Sequence, residues 1–199
     1  MESTIDFSGY DPNMDYHLSH KTTSRHCSRL MYLVINLEKF SESIIKEYLS
    51  DNLSELNDQN QKGWTVLMIM TRSFTKYGID LIRYFLDAGA DPNLVATGGW
   101  TAFMLAMCHA GDPGCLDVAK LLIEKGADPK TVLANGNTAL MVAIRVDGTS
   151  RLDVVEFLIR NNIDYNRKYR NGFEIWRYMS ESEISRLRQF IASFEKIDD

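Results

Sequence analysis

Three short runs in this chain share one pattern at one spacing, and that regularity limits the architecture before any chemistry is considered. They are Gly63-Trp64-Thr65-Val66-Leu67-Met68, Gly99-Trp100-Thr101-Ala102-Phe103-Met104 and Gly136-Asn137-Thr138-Ala139-Leu140-Met141, with glycines 36 and 37 residues apart. A weaker run, Gly172-Phe173-Glu174-Ile175-Trp176, begins 36 residues after Gly136. A second set travels in phase with the first: Leu86-Asp87-Ala88-Gly89-Ala90-Asp91-Pro92-Asn93, Ile123-Glu124-Lys125-Gly126-Ala127-Asp128-Pro129-Lys130 and Ile159-Arg160-Asn161-Asn162-Ile163-Asp164-Tyr165-Asn166. Two signals at one period imply a solenoid, in which each unit buries its apolar face only by stacking on its neighbours. Function is then expected on a repeated surface and not in a pocket.

Each unit reads as two short helices. Thr65, Thr101 and Thr138 stand where a hydroxyl can cap the first amides of a helix, and the apolar run Val66-Leu67-Met68-Ile69-Met70 suggests an inner helix packed on both sides. A second helix is expected near Asp80, with Leu81, Ile82, Phe85 and Leu86 on one side; Asp117 and Asp153 open the equivalent stripes. Gly89 and Gly126 would end these helices in the left-handed conformation, with Asn162 in the corresponding place.

Composition narrows the function classes. With 199 residues, 45% of them apolar and 25% charged, the chain can bury a core. Its net charge of -5, with both signs interspersed, offers no basic stripe for a nucleic-acid backbone. The three cysteines, Cys27, Cys108 and Cys115, make no disulfide framework and suit a reducing, intracellular and cytoplasmic setting; no secretory segment or membrane span is read. His17, His20, His26 and Cys27 cluster without a familiar zinc spacing, so no metal and no cofactor is expected. Cys108 and His109 are the best candidates for an enzymatic alternative in an interrepeat loop, but no third orienting residue has a distinctive spacing.

The quoted runs resemble the ankyrin repeat family, whose usual pattern joins Gly-x-Thr-Pro-Leu-His to Leu-Leu-x-x-Gly-Ala-Asp-x-Asn over about 33 residues. The resemblance is clear from about Asn57 to Asn166 and degraded elsewhere. It implies an all-α solenoid of helix-loop-helix units with protruding interrepeat turns. Two departures stand out. Met68, Met104 and Met141 replace the family's histidine, filling its space without its hydrogen bonds. The stretches 72–79, 108–116 and 145–152 exceed the usual connection by about three residues, an addition a solvent-facing loop can absorb at little entropic cost. These loops could form a second binding surface or be tolerated insertions.

The expected organisation is a flexible or partly packed tail, 1–23, followed by a repeat domain, 24–199, of about five units including degenerate caps. The N-terminal cap is read at Leu30–Ile35 and Ile44–Leu49, and the C-terminal cap as a helix opened by a Ser180/Glu183 capping box. The resemblance further implies a noncatalytic adaptor, targeting or inhibitory protein, or a scaffold, binding another protein through its concave face and turn tips. Family members are common among proteins that pathogens use inside host cells. Carried onto this chain, the contact positions are Lys62, Trp64, Arg72, Trp100, His109, Asn137, Arg145, Arg170 and Phe173. Aromatic area beside guanidinium groups suits a binding hot spot, although Trp64 and Trp100 could instead brace successive turns.

Overall fold

A computed structural model describes residues 5, 7, 10, 16–19, 22–24, 27–145, 152–161, 163–164 and 179–195. The chain groups into two compact units, Met1–Thr97 and Gly98–Asp199. Among the described residues the regular structure is helical, apart from one N-terminal hairpin.

In the first unit the hairpin pairs β1 (Tyr16–Ser19) with β2 (Thr22–Ser24), with Tyr16 opposite Ser24 and His17 opposite Thr23. No alternating pattern in the sequence announced it. Helices α1 (Arg29–Ile35) and α2 (Glu42–Asp51) follow, then a single 3₁₀ turn at Leu53–Glu55, α3 (Val66–Arg72) and α4 (Phe74–Asp87). Helix α3 is apolar on every side, and Val66 to Thr71 are all buried, as a helix packed between neighbours requires. It packs on α1 and α4. The main part of helix α4 buries its Leu81, Ile82, Phe85 and Leu86 stripe and leaves Arg83 and Asp87 exposed.

The second unit repeats this plan with α5 (Ala102–Met107), α6 (Cys115–Glu124), α7 (Ala139–Arg145), α8 (Leu152–Arg160) and α9 (Glu181–Glu195). Inner helix α5 packs on α6 and α7, α7 on α8, and α8 on α9. Helix α9 opens with the expected capping box: Ser180 N–H donates to Glu183 Oε2 at 2.7 Å and Glu183 N–H reaches Ser180 Oγ at 3.4 Å. Its Leu187 is fully buried.

The local devices read from the sequence are present. Thr65, Thr101 and Thr138 accept from Met68, Met104 and Met141 N–H at 3.2, 3.3 and 3.3 Å. Each such cap contributes about 1 kcal/mol. Gly89 and Gly126 take φ of 102° and 88°. Behind them Ala90 N–H returns to Phe85 C=O at 3.0 Å and Ala127 N–H to Leu122 C=O at 2.9 Å, closing the helix ends. Ile163 N–H makes the same return to Leu158 C=O at 3.3 Å; Asn162, read as its cap, lies outside the described residues. So do the run from Gly172 to Trp176 and most of the tail.

The lengthened connections depart from expectation. Between α3 and the main part of α4, the added residues form a helical turn that breaks at Gly78 (φ 74°, ψ 155°), and Phe74 and Tyr77 are buried. In the second unit Ala110 and Cys115 are also buried. These two additions are thus anchored by apolar side chains and are not simply solvent-facing loops, because apolar groups in the connection gain more from burial than from solvation; the third, at 145–152, lies almost wholly outside the described residues.

Two further glycines are required by their neighbours. A Cβ on Gly63 (φ 77°) would stand 2.9 Å from Ala96 Cα, and one on Gly99 (φ 88°) would stand 3.0 Å from Leu133 Cα. Gly126 has open space around it. Alanine at Gly126 should therefore cost about 1 kcal/mol from backbone strain alone, whereas alanine at Gly63 or Gly99 should cost clearly more, since backbone must also shift. Urea denaturation at matched slopes checks this ordering; equal losses at the three positions would refute it.

Candidate functional site

The surface built by the turns begins with backbone. Lys62 C=O accepts from Thr97 N–H at 2.9 Å and from Thr97 Oγ1 at 3.0 Å, tying one turn to the next in the first unit. One repeat later, Gly98 C=O accepts from Ala134 N–H at 2.8 Å. Asn57 adds a second tie: its Oδ1 accepts from Asp91 N–H at 2.8 Å and its Nδ2 donates to Gly89 C=O at 3.2 Å. The turns are thus fixed without a ligand.

The residues expected at partner contacts divide by burial. Trp64 is 8% exposed; its N–H donates to Asn60 Oδ1 at 3.0 Å and its C=O accepts from Asn60 N–H. Lys62 N–H donates to the same Oδ1 at 2.9 Å, so one buried carboxamide holds both residues. Asn137 is likewise 8% exposed, with its N–H on Asn135 Oδ1 and its C=O receiving Leu133 N–H. Trp64 and Asn137 therefore hold their turns from inside. Trp100, Lys62, Arg72 and His109 are partly buried and keep some exposed surface, and Arg72 ends α3. His109 Nδ1 lies 3.0 Å from Asp112 Oδ2. Arg145 is the last residue of α7. Arg170 and Phe173 lie outside the described residues.

Sequence reasoning passed over one cluster. Phe7 packs against Tyr10, Tyr32 and Tyr48 at ring-centroid distances of 6.1, 6.4 and 5.7 Å, with Arg29 above its ring at 5.4 Å. Tyr48 Oη donates to Glu55 Oε1 at 2.7 Å, and burial together with Glu55 raises its pKa. Two aromatic residues three apart in an otherwise aperiodic segment were the available signal.

Cys27 and Cys115 are buried thiols, and Cys108 is half-buried beside the end of α5. Burial pushes the Cys27 thiol up to about 11 from 9.0, opposed in part by the neighbouring Asn60 carboxamide. Among the described residues, no group of three or more His, Cys, Asp or Glu is placed to hold a metal ion, and no helix is long and apolar enough to cross a membrane.

A family model described as ankyrin repeats (3 copies) matches residues 30–132 and 75–169. Three ankyrin repeat proteins of Acanthamoeba polyphaga mimivirus are similar to the chain. One is 36% identical over 114 residues, covering 56% of this chain and 20% of its own length. A second is 38% identical over 100 residues, covering 45% and 15%, and a third is 36% identical over 98 residues, covering 46% and 18%. The matches therefore span a fifth or less of these relatives.

The Cys27 shift has a measurable consequence. Because its folded pKa is raised, the protonated thiol favours the fold fully below pH 9.0, and that contribution is lost as pH rises to about 11. The urea midpoint should fall across this window, and fall less in Cys27→Ala. An identical decline in the two proteins would contradict the assignment.

Proposed function

The chain belongs to the ankyrin repeat family, and from that premise we propose that it is a noncatalytic module that binds another protein through its turn tips and the adjoining ends of its inner helices, the concave side of a single stack of about five units. Family members are generally noncatalytic. The observation that carries the reading is the backbone tie between successive turns, from Thr97 to Lys62 and from Ala134 to Gly98. A surface held this way loses little conformational entropy on binding, so aromatic burial is not spent on ordering loops.

Trp100 is the proposed anchor, since a partly exposed indole offers apolar area with few rotors. Lys62, Arg72, His109, Arg145 and Arg170 would pair with carboxylates or carbonyls of the partner, and Phe173 would supply further apolar area. Trp64 and Asn137 serve the same surface chiefly by bracing it, in keeping with their burial. The enzymatic alternative, built on Cys108 and His109, finds less support, because members of the matched family are generally noncatalytic.

Adaptor, targeting and inhibitory roles all follow from such binding. The viral relatives support a host-pathogen setting, and we place the protein inside the host cell, in the cytoplasm.

Affinity capture with the native chain as bait identifies the partner and tests the surface. Trp100→Ala should weaken capture by roughly 30-fold, as expected of a hot spot of about 2 kcal/mol, with unchanged far-UV circular dichroism. Trp64→Ala should instead lose about 3–5 kcal/mol of stability, as for a core tryptophan. Normal capture by a folded Trp100→Ala protein would refute the anchor. Two separate urea transitions in the parent would argue against a single stack.

A further inference from the structure

The N-terminal segment makes specific contacts that the repeat pattern does not require. Tyr10 N–H donates to Phe7 C=O at 2.8 Å, closing a turn that sends both rings toward the first repeat. There Phe7 meets Tyr32 of α1 and Tyr48 of α2, with the Arg29 guanidinium over its face, while Tyr10 stacks edge-on to Tyr32 at 5.6 Å. Tyr10 Oη donates to Cys27 C=O at 2.7 Å. The receiving surface is thus an aromatic cup with a cationic rim and one backbone acceptor. Its walls are firm: Tyr32 and Tyr48 are buried, and Tyr48 is pinned by Glu55, whose other oxygen accepts Leu30 N–H at 3.0 Å. Its occupant is only half-buried at both rings.

We propose that this cup is a peptide-binding site for a segment carrying two aromatic residues three positions apart, and that the chain's own Phe7–Tyr10 turn keeps it closed until such a ligand displaces it. The recognition chemistry is what the cup already selects: one ring edge-on to Tyr48 and tilted against Tyr32 beneath a guanidinium, and a second ring whose hydroxyl reaches a backbone carbonyl. A tethered occupant acts at high effective concentration, so an external peptide meets a site that is competent only in the fraction of molecules with the turn released. Half-buried attachment, outside the repeat helices, is the kind of contact that opens locally without global unfolding.

The test uses the full chain and a synthetic hexapeptide with the sequence of residues 5–10, labelled at its C-terminus. The double variant Phe7→Ala/Tyr10→Ala, with its cup emptied, should bind the peptide saturably in fluorescence anisotropy, and the parent should bind at least ~10-fold more weakly. Adding Tyr48→Ala to the double variant should abolish binding, and a peptide with both aromatics replaced by alanine should not bind. Equal affinity for parent and double variant, or no binding to a double variant with native circular dichroism, overturns the proposal. Should the double variant fail to fold, hydrogen exchange on the parent decides. Millimolar hexapeptide should speed exchange at the Tyr10 amide while α1 and α2 amides stay unchanged; no acceleration overturns the proposal. A concentration-dependent dimer of the parent, seen by light scattering and lost in the double variant, would assign the segment to self-association and overturn it as well.

Discussion

The repeat units depend on how closely the backbone of one turn approaches that of the next. Lys62 C=O can receive Thr97 N–H only because Gly63 carries no Cβ to collide with Ala96, and the same holds for Gly98 C=O and Ala134 with Gly99 beside Leu133. Once two turns are locked in this way, the position after each glycine is aimed, and the threonine that follows begins a helix at a fixed place. The period of 36 or 37 residues is therefore a geometric quantity, set at the turns. Extra residues have to be accommodated elsewhere, which accounts for the added helical turn before Gly78, with Phe74 and Tyr77 anchoring it to the core.

What the sequence disclosed follows the range of each interaction. Threonine caps, glycine-ended helices and the Ser180/Glu183 box are made within a few residues, so spacing alone reveals them. The apolar stripes of α4, α6 and α8 were equally plain, because a 3.6-residue period survives in any alignment of the units. The hairpin at 16–24, the burial of Trp64 and the Phe7 cluster were not readable. Each sits at positions used only once: the hairpin and the Asn60 contact to Trp64 are local, and the Phe7 cluster joins residues far apart in the chain, so no repetition separates a structural aromatic from an exposed one. Trp64 and Trp100 occupy the same place in the repeat, yet one is buried and the other partly exposed. Neighbours decide the difference: Asn60 stands where the later units have Ala96 and Leu133, and its carboxamide draws the first tryptophan's backbone inward.

That asparagine also shows how a repeat tolerates departures from its pattern. Asn60 is 4% exposed, and its Oδ1 takes two backbone amides, a strong use of one acceptor. Its Nδ2 lies beside the Cys27 thiol without forming a good hydrogen bond. An unsatisfied amide costs about 1–3 kcal/mol, a cost offset here by organising a turn that three other contacts depend on. Methionine in place of histidine works in the opposite sense. Met68, Met104 and Met141 are buried and bring no polar side-chain atom that must be satisfied, so turn stability falls back on the threonine caps and the backbone ties.

The face that α1 and α2 present to the N-terminal segment differs from the interior ones. Tyr32 and Tyr48 stand 37 residues before Ile69 and Phe85, in register with side chains buried between neighbouring helices. A purely apolar pair there would leave a sticky face, whereas tyrosines can bury their rings and still direct hydroxyls to polar partners, as Tyr48 does with Glu55. Such a face is amphipathic, and covering it with Phe7 and Tyr10 buries ring area without sealing it. A face covered by half-buried aromatics is held more loosely than an interior interface, whose side chains are buried on both sides.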